Sequence, residues 1–199
     1  MRVLLLLVAL TVVALVFPAA AADPPEMEQA RRVAATVLGE TKSVLEGALK
    51  DGPPAAALRV CASVAQNMAR RHEQQGWRVR RVSEKVRNLA DTPDAEELAV
   101  LQAWQEAHQA GRLAPAAERH EIVTEGGRRY VHYMKPIFIA GPVCLQCHGA
   151  PDKLAPGVAD ALKELYPRDQ ATGYAVGDLR GAVSVKIPID GTGPQGSGY

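Results

Sequence analysis

The chain has 199 residues, of which 47% are apolar and 23% are charged, and its formal net charge is +1. This composition is ordinary for a globular protein and excludes a disordered or collagen-like chain. The balanced charge gives no indication of nucleic-acid binding, and three cysteines are too few for a scaffold held by disulfides.

The N-terminal residues 1–22 have the pattern of a secretory signal peptide. Arg2 precedes an uncharged run at 3–16, and alanines at 19–22 provide a small-residue cleavage site. The apolar run is shorter than the roughly 20 residues that a membrane span needs. We predict cleavage after Ala22, with an uncleaved anchor as the less favoured outcome. The mature protein is then periplasmic or secreted and has no membrane span.

Helices are predicted in the first half of the mature chain. Apolar residues recur at helical spacing over 27–49 and again over 55–72, with a Gly-Pro-Pro break between them. Thr92 and Pro93 predict the start of a third helix, with Thr92 as the cap and Gly111 at the end.

Strand patterns dominate the second half. Strands are predicted at 77–83, 120–124, 128–139 and 181–189. Gly126 and Gly127 predict a hairpin turn, and Pro136 predicts an edge or a bulge in the strand that contains it. Residues 141–155 are expected to form a loop and 158–165 a short helix. The order predicts an α+β fold with one domain at 23–190 and a flexible, glycine-rich tail at 191–199.

The segment from Cys144 to His148 carries the most specific motif, C-x-x-C-H, which is typical of covalent haem c attachment. Two thiols three positions apart can bond to the porphyrin vinyl groups, and the adjacent imidazole can bind the iron. A thioredoxin-like site would need a βαβ context, and a structural zinc site would need four ligands. A local disulfide or two buried thiols is the remaining alternative. We predict one covalent haem c on Cys144 and Cys147, with His148 binding the iron, and no catalytic residues.

Cys61 is the odd cysteine of a chain predicted to be secreted. It lies on the apolar face of the second predicted helix, where it can be a small buried hydrophobic residue, part of an intermolecular disulfide, or the second axial ligand to the iron. Other candidates for that sixth position are Met68, His72, His108, His120, His132 and Met134. His72 and His108 lie on apolar stripes and are the stronger rivals.

Several segments together resemble a bacterial family of c-type haem proteins. They are Val60-Cys61-Ala62, residues 76–83, 85–88 and 135–137, Cys144 to Gly149, Tyr166-Pro167 with Asp169, and residues 171–174 and 177–182. Leu89 is a departure, because the family tends to have proline there. The resemblance implies a PAS-like antiparallel sheet behind the haem, with His148 as the proximal ligand and Cys61 as the distal ligand.

Haem propionates need cationic or hydrogen-bonding partners. Candidates are Arg80, Arg81, Arg87, Arg128, Arg129, Lys135 and Arg180. Each of these is by itself more often a solvated surface charge.

Axial thiolate and imidazole ligands would determine the reduction potential of the haem and whether the iron has an open coordination position. A thiolate stabilises ferric iron, so we predict a low reduction potential. Two filled axial positions leave no open site for a substrate, which disfavours an enzyme of the peroxidase type. We expect electron transfer or redox sensing with an unidentified redox or signalling protein partner. A gas or small-ligand sensor working through a partner is the alternative, and a haem peroxidase is the least favoured function.

Overall fold

The structure is a computed structural model that describes residues 23–73 and 76–189. The predicted signal peptide at 1–22 and the predicted tail at 191–199 lie outside the described residues. The helices are α1 (Pro25–Asp51), α2 (Pro54–Arg71), α3 (Ala95–Gln109), α4 (Pro142–His148) and α5 (Val158–Leu165). The strands are β1 (Arg78–Val82), β2 (Arg119–Glu125), β3 (Arg128–Phe138) and β4 (Leu179–Pro188).

The strands form one antiparallel sheet in the order β1-β4-β3-β2. With helices packed on it, this sheet confirms the predicted α+β class. The hairpin between β2 and β3 turns at Gly126 and Gly127, whose φ angles of 55° and 77° suit a tight turn that a side chain would strain.

Pro136 meets the prediction made for it only in part. Its strand, β3, is central and not at an edge, since it pairs with both β2 and β4. However, the pairing with β2 ends at Met134, so Pro136 faces only Ala182 of β4 and has no β2 partner that would need its missing N–H. The register also shifts just after it, between Ile137 and Phe138.

Two local predictions are wrong. The cap of α3 is Asp94 and not Thr92, because the Asp94 carboxylate accepts the Glu97 N–H at 2.8 Å while the Glu97 carboxylate accepts the Asp94 N–H at 2.9 Å. The segment predicted as a loop at 141–155 contains α4 and a short 3₁₀ turn at Pro151–Lys153. Pro142 favours α4, since proline suits the first turn of a helix.

Helix α1 covers one face of the sheet. Its buried residues recur at helical spacing and are Met27, Ala30, Ala34 and Val37. They pack on the alternate residues of β3 and β4 that point to this face, namely Val131, Tyr133, Val183, Val185 and Ile187. Burial of this apolar surface is the main favourable term in folding.

The opposite face of the sheet is covered by α3. Leu101 and Trp104 pack there with Met134 and Ala182. A third, smaller cluster lies between α2 and α5 and contains Leu58, Val158, Ala161 and Leu162, with Cys147 packed at its margin. This last cluster positions α4 beside α2. None of the helices in the described part of the chain is long and apolar enough to span a membrane.

Candidate functional site

The C-x-x-C-H motif lies on α4 and ends it. Cys144 and Cys147 are three positions apart on a helix, so their side chains lie on the same face. Both are half-buried free thiols. The next residue, Gly149, donates its N–H to the Leu145 carbonyl at 2.9 Å, and a Cβ there would lie 2.6 Å from that oxygen. Glycine therefore permits the tight end of α4 that follows the motif.

The imidazole of His148 is held in one tautomer. Its Nδ1 lies 2.8 Å from the carbonyl oxygen of Ala171, which can only accept, so Nδ1–H donates and the lone pair stays on Nε2. Burial lowers the pKa of His148 well below 6.5, and the nearby charge of Arg87 lowers it further. The side chain is thus a neutral imidazole with Nε2 available to a metal, the usual state of a histidine ligand.

A buried ion pair holds the carbonyl that orients His148. Arg87 donates to both carboxylate oxygens of Asp169, at 3.0 and 3.2 Å, and both side chains are less than a tenth exposed. The Nη2 of Arg87 also donates to the carbonyl oxygens of Cys147 at 2.7 Å and Ala171 at 3.1 Å. Asp169 accepts the Ala171 N–H at 2.9 Å. One ion pair therefore fixes both the end of α4 and the acceptor of His148.

The sequence alone does not reveal this network. The sequence places Arg87 among the candidate propionate partners and gives Asp169 no role beyond the family resemblance. Asp169 lies 82 positions from Arg87 along the chain, and no local spacing links them. The one sequence feature that touches both is their presence in the segments that carry the resemblance.

The structure brings Cys61 into the neighbourhood of the motif. Helix α2 packs against α4 and α5. On α2, Cys61 follows Leu58 by three positions, so both lie on the side that meets the cluster containing Cys147. Burial raises the pKa of Cys147, the charge of Arg87 lowers it, and charges on Cys61 and Cys144 raise it. Burial likewise raises the pKa of Cys61, with Arg81 acting in the opposite direction.

Two of the rival histidines have other partners. His72 Nε2 lies 3.0 Å from a carboxylate oxygen of Glu40 on α1. His132 is buried within the sheet, with Nε2 3.0 Å from Ser184 Oγ. Burial lowers the pKa of His132 to about 4. These contacts tie both residues to α1 or the sheet and not to α4.

The remaining candidates for the sixth ligand position lie in other parts of the fold. Met134 is part of the apolar cluster under α3, and the His108 ring lies 6.0 Å from that of Phe138. Met68 is buried near the end of α2, and His120 is an exposed residue of β2. The described part of the chain contains no group of three or more His, Cys, Asp or Glu side chains placed to hold a metal ion.

The cations predicted as propionate partners fall into two groups. Arg81, Arg87 and Arg180 lie close enough to His148 for their charges to lower its pKa, next to the larger effect of burial. The others have contacts elsewhere. Arg80 pairs with Glu97, Lys135 donates to the Ala117 carbonyl, Arg128 lies over the Tyr130 ring, and Arg129 pairs with Thr124 in the β2–β3 register.

Tyr174 is a further neighbour of the motif. Its N–H donates to the His148 carbonyl at 3.0 Å, and the two rings meet edge to face with centroids 6.1 Å apart. The Gly173 N–H also donates to the Gly149 carbonyl at 2.8 Å. The segment between α5 and β4 thus runs along the end of α4.

The protein is thus an α+β protein with an antiparallel sheet flanked by N-terminal helices. Its C-x-x-C-H motif lies on a helix that a buried ion pair holds in place. A family model described as Tll0287-like matches residues 21–188. The chain therefore belongs to the Tll0287-like family, and the family resemblance predicted from its segments is confirmed.

A solved structure is also similar to this chain. The crystal structure of the cyanobacterial heme-protein Tll0287 matches with a TM-score of 0.61 and 28% sequence identity. The match covers 84% of this chain and 98% of that chain. The search of curated protein sequences finds no match.

Proposed function

We propose that this protein binds one haem c covalently through Cys144 and Cys147. His148 serves as the proximal ligand and Cys61 as the distal ligand, and the protein works in electron transfer or redox sensing outside the cytoplasm. The observation that carries the proposal is the fixed tautomer of His148, whose free Nε2 lies at the end of a helix with two free thiols. The likeness to a cyanobacterial heme-protein supports it.

The residues present fit a haem. The donor set consists of two thiols on one face of α4, a neutral imidazole and a third thiol on the neighbouring helix. Two buried polar atoms in this region, Gln146 Oε1 and Arg180 Nε, have no hydrogen-bond partner. Buried polar atoms are rarely left unpartnered in a complete protein, so they fit a region that binds a further group with polar atoms. A haem bound here would supply a one-electron couple between ferric and ferrous iron.

The protein side chains set the character of that couple. The Ala171 carbonyl accepts from Nδ1, which makes the imidazole of His148 a stronger donor at Nε2. The Arg87–Asp169 pair holds that carbonyl in place. A thiolate from Cys61 would add further electron density and favour ferric iron, so we expect a low midpoint potential.

Covalent attachment is tested on protein produced in a host that matures c-type cytochromes. Haem staining on a denaturing gel and the pyridine haemochrome spectrum should show one thioether-linked haem per chain. The double variant Cys144→Ser/Cys147→Ser should lose it. Cys61→Ser is the matched control, since it removes a thiol but neither attachment point. A wild-type haem that acidified organic solvent extracts would contradict the proposal.

The role as electron carrier or sensor is resolved by ligand exchange. A carrier is reduced reversibly with no change of axial ligand and passes electrons rapidly to a partner. A sensor releases Cys61 on reduction and then binds carbon monoxide at the vacated position.

Mass spectrometry of the exported protein tests the proposed compartment, because cleavage after Ala22 leaves Asp23 as the first residue.

A further inference from the structure

A polar cleft opens beside Tyr174. It has a volume of about 240 Å³, and its lining includes Ser83, Lys85, Gln105, Tyr174 and Arg180. Two cations lie over the Tyr174 ring, with Lys85 Nζ 4.3 Å and Arg180 Cζ 5.6 Å from its centroid. An aromatic face partly offsets the cost of bringing two like charges together.

Arg180 has hydrogen-bonding capacity left over. Its Nη1 donates to Ser83 Oγ at 2.6 Å and to the Lys85 carbonyl at 3.4 Å. Its Nε is buried and has no partner. A buried N–H of a charged group that lacks an acceptor costs more than an ordinary lost hydrogen bond. Because Arg180 also lines the cleft, an acceptor bound there would meet a cation that lacks one of its hydrogen bonds.

The charges around the cleft indicate that the acceptor is an anion. Arg87 is paired with Asp169, and Arg81 lies 3.8 Å from Asp91. Among the described residues, no carboxylate lies within 4.0 Å of Arg180 or Lys85. Lys85 donates instead to the carbonyl oxygen of Thr172.

Two carboxylates line the cleft but do not neutralise these cations. Asp178 accepts the Ala175 N–H at 2.8 Å and so is used within its own turn. Glu84 is exposed to solvent. Arg180 and Lys85 therefore remain as positive charge without a partner carboxylate.

We infer that Arg180, with Lys85, forms a carboxylate-binding site, and that its occupant is a propionate side chain of the haem. This inference rests on the proposed function. The cleft adjoins the proposed iron ligand, since Tyr174 contacts the His148 ring and carbonyl and also lies under both cations. A porphyrin held by two thioether bonds presents its carboxylates at high effective concentration, which a free anion cannot match.

The test compares Arg180→Gln with Arg32→Gln, which removes an exposed arginine on α1. Midpoint potentials are measured from pH 5 to pH 8 by spectroelectrochemistry, and propionate bending modes by resonance Raman. We expect Arg180→Gln to lower the potential at pH 7, because an uncompensated carboxylate favours ferric iron. That potential should rise towards the wild-type value as the pH falls and the propionate is protonated. Arg180→Lys should restore much of the wild-type behaviour.

Two results would overturn the inference. One is an Arg180→Gln variant whose potential, pH profile and propionate modes match those of wild type and Arg32→Gln. The other is a wild-type potential that shifts on addition of acetate, with the shift lost in Arg180→Gln, which would make the occupant a free carboxylate. If Arg180→Gln does not accumulate as folded protein, Lys85→Gln is measured in the same way and should show a smaller change of the same sign. Absence of covalent haem in the wild type would instead refute the proposed function.

Discussion

The sheet face under α1 and the region around α4 are stabilised by different interactions. The sheet face under α1 is an apolar core, in which small alanines on the helix meet valines and an isoleucine on β3 and β4. The region around α4 has only a small apolar cluster, and its geometry depends on a buried ion pair and on backbone hydrogen bonds. Apolar packing is non-directional and sets stability, whereas the polar network fixes individual atoms, such as the Nδ1 of His148.

The largest expected effect is the loss of one partner of the buried pair. Asp169→Ala leaves the Arg87 guanidinium buried without its carboxylate, which should lower the free energy of unfolding by about 3–5 kcal/mol. It also removes the acceptor of the Ala171 N–H, so we expect a fall in covalent haem yield. Urea unfolding and haemochrome quantification measure the two effects. The control Asp152→Ala, at an exposed position, should change neither.

A cavity under α1 should affect stability alone. Ile187 is 1% exposed, and Ile187→Ala should lower the free energy of unfolding by about 2–5 kcal/mol. The folded fraction should keep the wild-type haem spectrum, because the residue packs under α1 and not near α4. If this variant changes the axial-ligand spectrum, the apolar core under α1 and the polar network around α4 are not independent, and the comparison made above is wrong.

The pH dependence of stability tests a third region, the face under α3. Burial holds the pKa of His132 at about 4, below the 6.5 of the unfolded chain. As the pH falls from 6.5 towards 4, the unfolded chain takes up the proton first, so stability declines with falling pH by up to about 3 kcal/mol.

His132→Gln isolates this effect in chemical unfolding measured at a series of pH values. Its stability should vary less than that of wild type over that window. An equal slope in both proteins would show that His132 is not the group responsible.

The smallest of these effects concerns the end of α4. A Cβ at Gly149 would lie 2.6 Å from the Leu145 carbonyl oxygen, so Gly149→Ala should cost about 1–3 kcal/mol and reduce haem attachment. The matched change Gly39→Ala lies within α1, where a Cβ meets no atom within 4 Å. That variant should be stabilised by up to about 1 kcal/mol. Thermal unfolding of the two variants side by side should give shifts of opposite sign.

The sequence predicted most of the fold because its elements are encoded locally. Helical periodicity at 27–49 and 55–72 corresponds to α1 and α2, and Gly126 with Gly127 marks the hairpin. Helix α4 stands where the sequence predicts a loop, because the proline and glycine at its two ends are typical of loops, although proline also suits a first helical turn. Thr92 fits the local pattern of a helix cap, but Asp94 fits it better, because Glu97 follows it by three positions.

The site was only partly predictable for a physical reason. The C-x-x-C-H motif is contiguous, so its chemistry can be inferred from spacing. The Arg87–Asp169 pair and the packing of α2, which carries Cys61, against α4 depend on tertiary structure, which no short segment records. The unpartnered Nε of Arg180 is likewise visible only in three dimensions.

The most direct test of the central claim is a spectroscopic comparison of haem-loaded wild type and Cys61→Ser. Absorption spectra of the ferric and ferrous forms and low-temperature EPR of the ferric form are recorded for both proteins. The account predicts a low-spin ferric signal of thiolate–imidazole ligation in the wild type. That signal should be lost in Cys61→Ser, which keeps its covalent haem. Identical spectra would contradict it and make Cys61 a packing residue of α2.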